Sequence, residues 1–151
     1  MPTMRFTHAC RKARLMNPPA SVWSLALRRR AKAPMSAADV AVVNEWKRRS
    51  LKAETALIGI LRQEVLSGVR DQVQFERLKE ALDTFPHLTT SIADHDRAAE
   101  CFNLCRSAGL TGDPVDMLVC ACAIRHDVAI FSVDPDYARY SKHLPIRLHV
   151  P

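Results

Sequence analysis

The residues best placed to do chemistry are acids in three stretches: Thr111-Gly-Asp-Pro-Val-Asp116, Gln63-Glu-Val-Leu-Ser-Gly68 and Ser132-Val-Asp-Pro-Asp136. Asp113 followed by Pro114 reads as an N-cap and first helical position, which places Asp116 in the first turn, facing the positive end of the helix dipole. A carboxylate there is expected to stay ionised. The pair serves either as a cap or as a site, and capping is the commoner use of such acids. Asp134 before Pro135 repeats the signal and falls just beyond the carboxyl end of an apolar stretch, where open α/β sheets place their ligands. Structural capping is its plainer meaning. Glu64 has Ile60, Leu61 and Gly68 as helical neighbours, so its carboxylate points where the apolar stripe points. A carboxylate buried in that way is protonated, paired with a cation or bound to metal, and a satisfied internal salt bridge stands as an equal reading.

These acids need elements to carry them. Met117 to Ile124 holds eight residues without a polar side chain, which predicts a helix buried on all sides. Val128-Ala-Ile-Phe131 reads as a buried strand. Thr55-Ala-Leu-Ile58, stopped by Gly59, reads as another, with Ile60 to Gly68 as the helix after it. Asp71 is expected to cap a helix with the face Phe75, Leu78, Leu82 and Phe85. His87 to Thr90 suits a short strand, and Asp94 opens a helix running to Cys105 or Arg106, whose Asn103 and Arg106 face solvent by default. Ile146 to Val150 alternates as an edge strand does. Toward the N-terminus, a helix starts near Ser36 with Val40, Val43 and Trp46 on its stripe and Lys47 to Arg49 at its end. A short helix starts near Ser21, after Pro18-Pro19.

The chain has 151 residues, 48% of them hydrophobic, which suits one domain with its own core. No apolar run approaches the roughly 20 residues that span a bilayer, and the first sixteen residues lack a secretory apolar stretch. A soluble, intracellular protein is expected. Five cysteines without framework spacing fit a reducing compartment. Cys101 and Cys105, one turn apart, read as small buried helix residues rather than as a zinc pair. None of the six histidines has a partner that the sequence identifies. The net charge of +6 is unevenly placed, because residues 1–33 carry eight Lys or Arg and no acid. Such an arm attracts phosphate backbones, but a solvated, disordered leader is the plainer reading of it than a dedicated nucleic-acid arm. Residues 1–16 are expected to be a disordered basic leader, weakly similar to a transit peptide or produced by a misplaced start codon, ahead of a domain over residues 17–151.

Three motifs in order, Gln63 to Gly68, Cys105-Arg with Gly109 through Asp113-Pro-Val-Asp-Met-Leu-Val-Cys-Ala, and Ile130-Phe-Ser-Val-Asp-Pro-Asp-Tyr137, resemble a PIN-domain ribonuclease, above all the VapC toxins of type II toxin–antitoxin pairs. The resemblance runs from about Ser21 to Val150. It implies an α/β fold, a three-layer sandwich with a short parallel sheet flanked by helices. It also implies a set of acids holding magnesium or manganese, and an endoribonuclease that cuts RNA in the cytoplasm. Glu64, Asp116 and Asp134 match three of the family's acids, Asp136 an auxiliary one and Ser132 a hydroxyl position beside the site. A VapB-like antitoxin and a homodimer are the implied partners, with no membrane. Magnesium and manganese prefer oxygen ligands, and a metal-bound water can be activated against a phosphodiester, which is why acids are needed.

The departure lies at the N-terminus. Family members begin with an apolar strand ending in Asp-Thr-Ser-Val-Trp, whereas this chain has Pro19-Ala-Ser-Val-Trp23. Pro19 replaces the first acid, Ala20 the following hydroxyl residue, and only Ser21 survives as a site hydroxyl. Prolines forbid a central strand there, so the first strand is expected to be missing or distorted. Two expectations follow from different classes. One is a metal-dependent ribonuclease toxin with impaired activity. The other is an inactive remnant that still binds an antitoxin or a second copy.

Overall fold

The computed structural model describes residues 37–52, 54–132 and 134–149. The expected Ser21 helix, the prolines before it and the basic leader lie outside the described residues. Among the described residues six helices and two short strands follow in order: α1 (Ala37–Leu51), β1 (Leu57–Ile58), α2 (Gly59–Ser67), α3 (Gln72–Asp83), β2 (His87–Leu88), α4 (Ile92–Ser107), α5 (Pro114–His126) and α6 (Pro135–Tyr140).

Local signals set most boundaries. Asp71 takes the extended N-cap conformation and accepts the Gln74 amide at 2.8 Å, so α3 starts where a capping acid meets a free helical N–H. Asp113 and Asp134 cap α5 and α6 in the same manner, accepting the Val115 amide at 2.8 Å and the Asp136 amide at 2.9 Å, each ahead of a proline at the first helical turn. One cap differs from expectation. Ser91, extended at φ −121°, is the N-cap of α4, and Asp94 sits three residues in, accepting both the Ser91 amide at 2.6 Å and its hydroxyl at 2.8 Å. At its other end α5 stops on Asp127 in the left-handed conformation, φ 52° and ψ 47°, which returns two N–H bonds to the last turn. In α1, Val40 is exposed rather than part of a buried stripe. Arg48 and Arg49 close that helix by gripping Glu45 at 2.7 and 2.8 Å.

The strands are shorter than the apolar runs suggest. β1 and β2 pair in parallel over two residues, Leu57 with His87 and Ile58 with Leu88. Val128 to Phe131 contributes one parallel bridge, between Ile130 and Leu148, through bonds of 2.8 Å from the Ile130 amide to Arg147 O and from the His149 amide to Ile130 O. Among the described residues the architecture is thus a helix-rich α/β fold with short parallel pairing, as expected.

The core surrounds α5. Every residue from Met117 to Ala123 is buried, with Ile58, Leu61, Leu88, Ile130 and Tyr140 in the same cluster. The principal helix contact is α4 against α5, where Cys101 and Cys105 face the core as small apolar residues. The four described cysteines are free, and burial pushes the Cys122 thiol up to about 11, so it stays protonated. A smaller cluster of Leu57, Val65 and Leu82 joins α3 to the strand pair. At the far end of α5, the Arg125 guanidinium bonds both the Asp94 carboxylate and the Thr89 carbonyl, tying the C-terminus of α5 to the start of α4. Among the described residues no helix is long and apolar enough to cross a membrane.

Candidate functional site

Asp116 lies in the first turn of α5, half-buried, at the mouth where the buried helix meets α6. Pro135 starts α6 and carries the chain through a turn and a half, so that residues 137 and 140 share one face. That face meets Asp116. The Tyr137 hydroxyl donates to Asp116 Oδ1 at 2.9 Å and the Tyr140 hydroxyl to Oδ2 at 3.4 Å, and the two rings stand edge to face with centroids 5.8 Å apart. Both tyrosines are buried, 4% and 2% exposed, so each hydroxyl needs an acceptor inside the fold.

Packing opposes the helix end in setting how readily Asp116 ionises. Burial, before any other cause, pushes its carboxyl above the usual range. The Tyr137 hydroxyl pulls it back, the charges of Asp113 and Asp134 push it up again, and the Tyr140 hydroxyl opposes them. Desolvation and like charge together outweigh the bonds, so the group is less readily ionised than a free carboxyl rather than more. The Tyr140 phenol is pushed up to about 12, by burial first and by the nearby Asp116 charge second, which keeps its hydroxyl a donor.

The structure places Asp113 and Asp134 within electrostatic reach of Asp116 and leaves the other expected residues in separate roles. The Asp134 carboxylate is the cap of α6, while its own amide donates to Ser132 Oγ at 3.1 Å, so Ser132 stands beside the expected acid. Asp136 is held by Arg139 at 2.7 Å. Glu64 is half-buried on α2 rather than enclosed by the apolar stripe. Ser21 and Pro19 lie outside the described residues. Among the described residues no three Asp, Glu, His or Cys side chains stand close enough together to hold a metal ion, and Glu64, Asp116 and Asp134 are included in that statement. Magnesium usually keeps several waters and is held by one or two carboxylates, so the described acids, spread as they are, would offer such an ion few protein ligands. Tyr137 and Tyr140 were not singled out by sequence reasoning. Their spacing of three on a helix opening with Asp-Pro was the available signal.

An open cavity of about 530 Å³ lies between α2, α4 and α5. Ile60, Phe102, Val115 and Leu118 give it apolar walls, and His95 and Asn103 give it polar ones.

No curated protein matches the chain in sequence. Among solved structures, the crystal structure of DNA-bound VapBC from Salmonella typhimurium superimposes with a TM-score of 0.62 at 13% identity, over 88% of this chain and 96% of that one. At that identity the likeness establishes the fold. It agrees with the short parallel pairing around a buried α5. The family model of the PIN domain matches residues 20–143, which span α1 to α6 and every expected acid, and the chain therefore belongs to the PIN-domain family.

Proposed function

We propose that this chain is the toxin component of a type II toxin–antitoxin pair, an endoribonuclease of the VapC kind whose cleavage of RNA is impaired. The observation that carries the reading is Asp116 at the N-terminus of a helix buried through seven successive residues, with Asp134 close enough to act on it, in a chain of the PIN family. Nucleases of this family typically use divalent metals, and Glu64, Asp116 and Asp134 are the acids we assign to that chemistry, with Ser21, Ser132 and Asp136 beside them. Magnesium or manganese is the proposed ion, RNA the substrate, and a VapB-like antitoxin and a second copy of the chain the partners, in the cytoplasm. The impairment has two supports: Pro19 stands where the family has its first acid, and the described acids are not gathered into an ion-binding group.

A second reading, an inactive PIN-domain remnant that binds an antitoxin or dimerises without cutting RNA, is favoured by the Tyr137 and Tyr140 hydroxyls on both oxygens of Asp116. Incubation of the full chain with RNA and magnesium or manganese separates the two. Slow cleavage that Asp116→Asn abolishes supports the enzyme, and no cleavage in either ion supports the remnant.

A further inference from the structure

We infer that Tyr137 and Tyr140 form a clamp that withholds Asp116 from a cation, so that α6 itself restrains the candidate site. The inference rests on the ribonuclease reading and names a second cause for its impairment, separate from the replacement of the first acid by Pro19.

A carboxylate that serves an ion commonly turns one oxygen to the metal and receives an orienting hydrogen bond on the other. Here each oxygen receives a phenol hydroxyl, Oδ1 at 2.9 Å and Oδ2 at 3.4 Å. Both donors come from one six-residue helix and both rings are buried, so neither hydroxyl can turn to water while α6 stays in place. The position of α6 is itself secured. Asp134 caps its start, Tyr137 and Tyr140 pack against each other and into the core, and the Ser141 amide returns to Tyr137 O at 2.9 Å. The Tyr137 bond at 2.9 Å lies in the normal range for a hydroxyl on a carboxylate and the Tyr140 contact at 3.4 Å is longer and weaker, so an approaching ion must displace or share one firm bond and one weak one. The arrangement satisfies Asp116 without an ion, which accords with the absence of a three-ligand group among the described residues.

The test is calorimetric titration of manganese into the full chain, into the double variant Tyr137→Phe, Tyr140→Phe, and into that double variant carrying Asp116→Asn, with thermal melts to establish folding. The clamp predicts that the double variant binds manganese about tenfold more tightly than the natural chain, the equivalent of one such bond no longer opposing the ion. Adding Asp116→Asn removes the gain. Equal or weaker binding by the double variant overturns the clamp, weaker binding because the phenols would then be orienting partners of a ligand carboxylate. No detectable binding by either protein overturns it as well. If the double variant fails to fold, Tyr140→Phe alone, which deletes the longer bond, is expected to gain about threefold, and an unchanged affinity overturns the proposal. RNA cleavage measured on the same samples separates the two ideas. Tighter binding without any cleavage keeps the clamp and sinks the ribonuclease reading, while cleavage by the natural chain with no gain in the phenylalanine variants does the reverse.

Discussion

Replacing Arg125 with alanine cuts the tie between α5 and α4 and leaves a buried charge behind. Asp94 is 1% exposed, and Arg125 is the cation that faces it. Breaking a buried pair by removing one partner typically costs about 3–5 kcal/mol. Two features reduce that figure here. The Arg125 side chain is 40% exposed, so solvent already screens the pair and can reach toward the vacated position. Asp94 also keeps the Ser91 amide and hydroxyl on its other oxygen. A loss of about 2 kcal/mol is expected, which lowers the melting temperature by about 8 °C for a domain of this size.

Acidification supplies a second signature for the same variant. Burial raises the Asp94 carboxyl, but the bonds from Arg125 and Ser91 outweigh it and hold the group below the usual carboxylate range. A group depressed in the folded state contributes stability that is present above its unfolded value, near 4, and lost as the pH falls through the folded value. The natural chain should therefore lose this contribution below about pH 4, whereas Arg125→Ala, lacking the largest favourable bond, should lose less over the same range. Melts by circular dichroism between pH 7 and pH 3 measure both effects. A variant that melts within about 1 °C of the natural chain at pH 7, with the same acid sensitivity, would refute the reasoning.

Two other substitutions probe the scaffold. Leu82→Ala empties the small cluster with Leu57 and Val65, where Leu82 is fully buried, and should cost about 3 kcal/mol, read as a lower urea midpoint at unchanged slope. Asp71→Ala removes the cap bond to the Gln74 amide and should cost about 1 kcal/mol in the same titration, while Asp71→Asn should recover most of it.

The parts of this molecule that were legible in its sequence are those decided within a few residues. Asp71, Asp113 and Asp134 were readable as caps because a cap needs only an oxygen and a free amide two or three positions on. The burial of α5 was readable from eight successive apolar residues. Strand lengths were not, because ladder pairing is set by a partner elsewhere in the chain. Val128 to Phe131 is apolar enough for a strand, yet among the described residues Ile130 alone finds a ladder partner, in Leu148. The opposition to ionisation that Asp116 meets was hidden for a related reason. Its place in the first turn is local and favours ionisation, but the desolvation and the Asp134 charge that oppose it come from packing. The tyrosine contacts join residues 21 and 24 positions apart, beyond the reach of any helical spacing rule. The likeness to a nuclease family placed the acids in order along the chain. It carried no information on whether they converge in this one.

The most direct test of the account is RNA cleavage by the purified full chain in manganese, with EDTA and Asp116→Asn as parallel controls. The account predicts slow cleavage that both controls abolish. Absence of cleavage at every manganese concentration, or cleavage that persists in Asp116→Asn, would contradict it.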